Sequence, residues 1–262
     1  MIRALRTAAT GMYAQELQVD AISHNLANVN TTGYKRSKME FQDLLYHTMT
    51  SVGAENARSS ATNAVIQVGH GTKPVANPKQ FTQGDVQSTD NPLDLAIDGD
   101  GFFQIQLVDG TLAFTRDGTM KLSADGQFVT SDGLVLEPSL AIPQETEYIH
   151  ISTDGVVSVG LTGETEPEIL GQLQLVKFVN PAGLKNLGRN LYVQTVGSGE
   201  PQFGTPEEEG FGRIIQGYLE LSNVNVVEEM INLIVAQRAY EINSKAIRSA
   251  DEMLSTANGL QR

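Results

Sequence analysis

The chain has 262 residues, 40% of them hydrophobic, enough for one or two domains with real cores, and no cysteine, which excludes disulfides and thiolate chemistry. Its formal charge of −13 lies in the middle: residues 1–38 hold five Lys/Arg against two acidic residues, whereas residues 39–220 hold nine against twenty-four. An acidic body excludes nucleic acid as a partner, because phosphate binding needs a basic patch. No stretch approaches the roughly 18 uninterrupted apolar residues of a membrane span, so no membrane insertion is expected. The opening Met1-Ile2-Arg3-Ala4-Leu5-Arg6-Thr7 lacks the compact apolar centre of a signal peptide. The expectation is a protein that stays in the cytoplasm or leaves by a route that reads no cleaved leader.

In chain order, the first predicted element is a helix over residues 1 to about 30. Leu5, Met12, Val19 and Leu26 recur every seven residues, and Ala8, Ile22 and Val29 fall three residues after members of that series. This is a heptad-like stripe on one helix face. It stops at Asn28-Val29-Asn30-Thr31-Thr32-Gly33, where Asn and Gly permit a left-handed backbone. Residues 47–72 are rich in Ser, Ala, Asn, Thr and Gly, and read as an extended or loop-like segment.

Residues 76–220 read as a mostly antiparallel β domain. Asp100-Gly101, Asp109-Gly110, Asp117-Gly118, Asp125-Gly126 and Asp132-Gly133 separate short β-prone runs, and Asp-Gly in that setting marks a tight hairpin. The last element is a second helix from about 224 to 258. Val226, Leu233, Tyr240, Ile247 and Leu254 repeat every seven residues, and a second stripe runs through Val227, Ile231, Ile234, Ile242, Ala246 and Met253. Asn225 with Glu228 fits a capping box and Asn258-Gly259 a stop. Two apolar stripes exceed what one partner helix covers, so this helix is expected to bury surface against several neighbours. The fold class is therefore α+β: terminal helices forming a coiled-coil-like core domain (1–34 and 221–262), an extended linker (35–75) and a β-rich outer domain (76–220).

Catalytic and ligand chemistry finds little support. His24, His47, His70 and His150 stand at no metal-ligand spacing, no Ser sits in a nucleophile elbow, and no Gly-rich loop matches a phosphate cradle. Gly99-Asp100-Gly101 lacks the alternating oxygen ligands of a calcium loop and reads as a turn. A cell-wall hydrolase would need a framed pair of carboxylates, and none is singled out. A membrane-surface role is disfavoured because the polar helix faces are not notably basic. No catalytic residue, cofactor or metal site is assigned. Lys35, Arg36 and Lys38 fit either contacts to an acidic neighbouring subunit or solvated loop charges.

Asn25-Leu26-Ala27-Asn28-Val29-Asn30-Thr31-Thr32-Gly33-Tyr34-Lys35 resembles the N-terminal signature of the bacterial flagellar rod and hook (axial) protein family. Ser222-Asn223-Val224-Asn225-Val226-Val227-Glu228-Glu229-Met230 and Gln237-Arg238-Ala239-Tyr240-Glu241-Ile242-Asn243-Ser244-Lys245 are similar to its C-terminal signature. Leu93-Asp94-Leu95-Ala96-Ile97, Gly99-Asp100-Gly101-Phe102-Phe103 and Thr115-Arg116-Asp117-Gly118 resemble its β domain. Within the family the length and the segment from Tyr46 to about Val65 are most like the distal rod subunits, with proximal rod and hook subunits as alternatives.

The resemblance implies a structural subunit of a helical tube, with the terminal helices inside and the β domain outside. It implies as partners further copies of itself, proximal rod proteins, the hook protein, outer bushing ring proteins, the flagellar export apparatus and an assembly cap. It also implies a basal-body location spanning the periplasm. The residues expected at the helical subunit interface are Leu5, Met12, Val19, Ile22, Leu26, Val226, Met230, Leu233, Tyr240, Ile247 and Leu254.

Overall fold

Both ends of the chain are helical in the computed structural model, which describes residues 2–48, 67–163, 166–208 and 210–259. α1 covers Ile2–Ala27 and α2 covers Val226–Gly259. Neither interior contains proline, and α2 opens with Glu228 and Glu229 on the positive end of its dipole. At 1.5 Å per residue, the 34 residues of α2 extend about 51 Å. Together with the antiparallel β-structure between them, the helices make an α+β protein. No helix among the described residues is long and apolar enough to cross a membrane.

The chain divides into two compact units. The helical unit comprises Met1–Leu26, Ser37–Pro78 and Val226–Arg262; the β-rich unit comprises Ala27–Arg36 and Lys79–Asn225.

In the helical unit, Gly11 of α1 lies against the Asn243 side chain, so closely that an added Cβ would come within 3.0 Å of it. Glu16, Val19 and Asp20 line a cleft with Gln237, Tyr240 and Glu241. Advancing along α1 therefore moves backwards along α2, and the two run antiparallel. Their buried residues are small: Ala8, Ala14 and Ala21 with Ile22 and Asn25 on α1, Ala236 and Ala250 with Glu229 on α2. Glycine and alanine at a helix seam let two backbones approach closely.

The segment expected to be a linker contains strands on either side of its centre. Glu40–Asp43 pairs antiparallel with Thr72–Ala76, and Tyr46–Thr48 pairs with Gln67–Gly69. Cross-strand pairing supplies the order that a composition low in large apolar side chains did not foretell. This two-tier ribbon is tied to α1, where the Thr10 hydroxyl accepts the Thr72 N–H at 3.4 Å. The remainder of the segment, 49–66, lies outside the described residues.

The β-rich unit is built on a seven-stranded antiparallel sheet. Its order is Lys185–Gly188, Leu191–Val193, Leu112–Thr115, Phe103–Gln106, Val135–Glu137, Phe128–Thr130 and Met120–Leu122. A three-stranded sheet of Thr146–Ile151, Val156–Leu161 and Glu168–Gln172 stands beside it, with three two-stranded pairs. Alternating residues of these strands supply the main core, among them Leu95, Ile97, Phe103, Ile105, Met120 and Val159. A second cluster packs Phe102, Phe114, Phe178 and Tyr192 largely edge to face.

Of the five Asp-Gly pairs named above, three turn hairpins, at Asp109-Gly110, Asp125-Gly126 and Asp132-Gly133, and Asp154-Gly155 turns a further one. Asp100-Gly101 and Asp117-Gly118 do not, because the strands before them pair with distant partners. Asp117 is employed otherwise: its Oδ1 accepts hydrogen bonds from the Thr119 N–H and hydroxyl and from the Thr32 hydroxyl.

Candidate assembly site

The signature residues fall into two structural roles. Asn25, on the last turn of α1, is buried and clamps the backbone of Ser37: its Nδ2 donates to Ser37 O at 2.8 Å and its Oδ1 accepts the Ser37 N–H at 2.9 Å. That pairing closes the ends of the excursion 27–36, and an asparagine amide is the side chain that can donate and accept at once there. Ala27 ends the helix, and Asn28 and Thr31 form the turn that follows, with Thr31 N–H donating to Asn28 O and Thr31 Oγ1 to Asn28 Oδ1.

Gly33 has φ +66°, and a Cβ there would lie 2.6 Å from the Asp117 backbone nitrogen. Both the left-handed conformation and the contact demand glycine. Tyr34 is buried, with the Lys79 ammonium 4.0 Å above its ring centroid.

Lys35 answers the question that composition left open. It is fully buried inside its own chain and is neither a solvated charge nor a contact to a neighbour. Its Nζ donates to Glu220 Oε1 at 2.5 Å and to Thr82 O at 2.7 Å. Glu220 is equally buried; Oε1 also accepts the Gly84 N–H at 2.9 Å, and Oε2 faces Arg116 Nη1 at 3.4 Å. Arg116 Nη2 donates to Gly99 O at 2.8 Å, and its guanidinium lies over the Phe102 ring. Burial pushes the Lys35 ammonium below the usual lysine range, Glu220 opposes that shift, and Arg116 reinforces it.

Asn223 completes the arrangement. Its Oδ1 accepts the Arg36 N–H at 2.7 Å while its Nδ2 donates to Gln80 O, Thr82 O and Thr82 Oγ1. The N-terminal signature is thus held between residues 79–84 and the strand end 220–223. Glu220 was not legible as a site residue, since nothing local marks a carboxylate 185 positions from its lysine; Asn223 and Arg116 stood within the motifs without an assigned role.

Lys79 makes a testable contribution. Its Nζ donates to Lys35 O at 2.8 Å, and burial pushes its ammonium from 10.5 down to about 8. The unfolded chain therefore binds more protons between about pH 8 and 10.5, so this group makes stability rise with pH across that window. Subtracting the urea midpoints of Lys79→Met from those of the native chain at pH 7 to 10 should give a difference that grows with pH. A flat difference would refute the assignment.

The residues expected at the helical interface divide differently. Ile22 is buried in the seam of its own unit. Leu5, Met12, Val19 and Leu26 on α1, and Leu233, Ile247 and Leu254 on α2, are half-buried along its flanks. Val226, Met230 and Tyr240 are exposed. The buried line of α2 runs instead through Glu229, Ala236, half-buried Asn243 and Ala250, one heptad apart. The second stripe lies on the far side: Val227 is 67% exposed, Ile231 56%, Ile234 55%, Ile242 65% and Met253 54%. At 100° per residue these centre about 130° from the Ala236–Ala250 line.

Three family models match the chain: "Flagella basal body rod protein" over residues 5–35, "Flagellar hook protein FlgE/F/G D1 domain" over 96–159, and "Flagellar basal body rod FlgEFG protein C-terminal" over 215–260. The flagellar basal-body rod protein FlgG of Borreliella burgdorferi is 50% identical over 264 residues, covering all of both chains. The chain belongs to the flagellar basal-body rod protein family. The FlgG proteins of Caulobacter vibrioides (46% identical, 99% of this chain and all of that one) and Bacillus subtilis (38%, all of both) are similar along the same length. As a rod protein the chain is structural and not an enzyme, and its place is the flagellar basal body. The first and last models cover the two helices with the segments that form the Lys35–Glu220 lock.

Proposed function

We propose that this rod protein is the distal rod subunit, polymerising into a rigid helical tube that carries torque from the rotor to the hook and leaves a channel for exported subunits. The observation that carries this reading is the exposed stripe Val227, Ile231, Ile234, Ile242 and Met253 on a helix about 51 Å long, facing away from its own seam. A stripe of large apolar side chains running about 39 Å along that helix in water calls for a partner, and identical subunits supply one. In this reading α1 and α2 of each copy pack as a coiled-coil-like pair through small residues. The pairs then meet one another through the stripe, with the half-buried Leu5, Met12, Val19, Leu26, Leu233, Ile247 and Leu254 at the edges of the contact and Val226, Met230 and Tyr240 within it.

The same reading takes the tube across the periplasm by export without a cleaved leader. Proximal rod subunits would lie below it, the hook above, ring proteins around it, and an assembly cap at the growing end. Electron cryomicroscopy of basal bodies bearing an epitope-tagged chain tests this. The expected result is a helical array of tagged subunits between the proximal rod and the hook. Label confined to any other part of the basal body would refute it.

A further inference from the structure

The β-rich unit carries a feature that the helical stripe does not explain. Charge along it is segregated: between Lys121 and Lys177 there are nine acidic residues and no Lys or Arg, whereas residues 177–199 hold Lys177, Lys185 and Arg189 and no acidic residue. Arg189 and Asp132 meet at 3.9 Å, but Lys185 and Glu147 belong to opposite ends of the topology. Lys185–Gly188 is the edge strand at one end of the seven-stranded sheet, and Met120–Leu122 is the edge strand at the other.

Each edge also has an apolar element of matching form. Beside Lys185, two loops present Val179 and Val196, 79% and fully exposed. Both loops are fastened: Asn180 N–H donates to Ser198 O, Asn180 Nδ2 to Gly197 O at 3.0 Å, and Thr195 Oγ1 to Gly183 O at 2.6 Å. These hydrogen bonds tie the two loops together, so the two exposed valines stand on one projection, the knob. At the opposite edge is a cleft of about 480 Å³ whose lining includes Leu93, Leu122, Ile142 and Tyr148, with exposed Glu147 at its rim.

Knob and cleft are different surfaces on opposite edges of one sheet, with opposite charge beside them. Such a pair cannot close a two-fold dimer; it joins copies head to tail, and a rotation that does not close gives a helix. We propose that the Val179–Val196 knob of one copy seats in the Leu122–Ile142–Tyr148 cleft of the next, with Lys185 set against Glu147. The proposal rests on the polymer reading above and adds a second contact, in the β-rich layer. Its apolar centre supplies cohesion, and its charged rim sets register and direction.

The absence of native cysteine makes the test clean. In a chain carrying Val196→Cys and Tyr148→Cys, oxidation of isolated basal bodies should yield a ladder of disulfide-linked multimers, while either single variant stays monomeric on a denaturing gel. A double variant that builds shafts and supports swimming without a ladder overturns the contact and leaves the polymer reading intact; native chain absent from the shaft would overturn both.

A charge exchange decides the case if the cysteine chain does not assemble. Lys185→Glu should reduce swarm expansion at least two-fold, and adding Glu147→Lys should restore more than half of the loss. Unchanged swarming in the single variant, or no recovery in the double, refutes the pairing.

Discussion

Ile231→Asp, or Ile242→Asp, should leave a folded monomer and abolish the shaft. Both side chains are more than half exposed and point away from the Ala236–Ala250 line, so a carboxylate there meets water in the monomer and costs little. In the polymer it would face a neighbour's apolar stripe. Each substitution removes about 1.5–3 kcal/mol of side-chain burial per contact and sets a charge where nothing pairs it. Because every copy carries the change, the loss repeats along the tube. The expected result is a helical circular dichroism spectrum equal to that of the native chain, no hook-bearing basal bodies in micrographs, and no swimming. A motile strain with either variant would sink the stripe as the assembly surface. Leu233→Asp and Ile247→Asp should also block assembly, but they are less clean probes. Both flank the seam within the chain, so they perturb the helix pair as well as the contact between copies.

Glu220→Ala should have the largest effect on the fold itself. Lys35 and Arg116 are buried, and Glu220 is the carboxylate that both of them face. Removing it leaves two cations out of water without their counter-charge, which costs about 3–5 kcal/mol. That is a large part of the roughly 5–15 kcal/mol by which domains are stable. Lys35→Met should cost less, since it removes one buried charge and fills the space with an apolar chain, leaving Glu220 with Arg116 and the Gly84 N–H. The chain has seven tyrosines and no tryptophan, so urea unfolding is best followed by circular dichroism. A Glu220→Ala midpoint within about 1 kcal/mol of native would show that the lock contributes little. A Lys35→Met variant less stable than Glu220→Ala would refute the predicted order.

The lock also gives the two signatures a physical meaning. Residues 33–36 and 220–223 close the β-rich unit from both ends of the chain, through Gly33 N–H to Glu220 O, Lys35 to Glu220, and Arg36 N–H to Asn223. The unit is therefore complete only when both flanking segments are in place, each continuous in sequence with a terminal helix.

Much of this protein was legible without coordinates. The extents of the two helices follow from apolar spacing and from Asn and Gly stops, and three hairpins follow from Asp-Gly, because these features are set by backbone preferences within a few residues. The family followed from motifs at both ends. What only the tertiary structure decided is which face of α2 turns inward. Hydrophobic spacing marks a face as apolar without saying what covers it, and the inner line here is Ala236, Asn243 and Ala250, chosen for close approach and invisible to a count of large side chains. The strands at 40–48 and 67–76 escaped because cross-strand pairing, not composition, orders them. Asp117 looked like a turn residue until Thr32, 85 positions away, reached it. Lys35 looked like a loop charge until Glu220 was set against it, and burying that pair is a property of the folded chain alone.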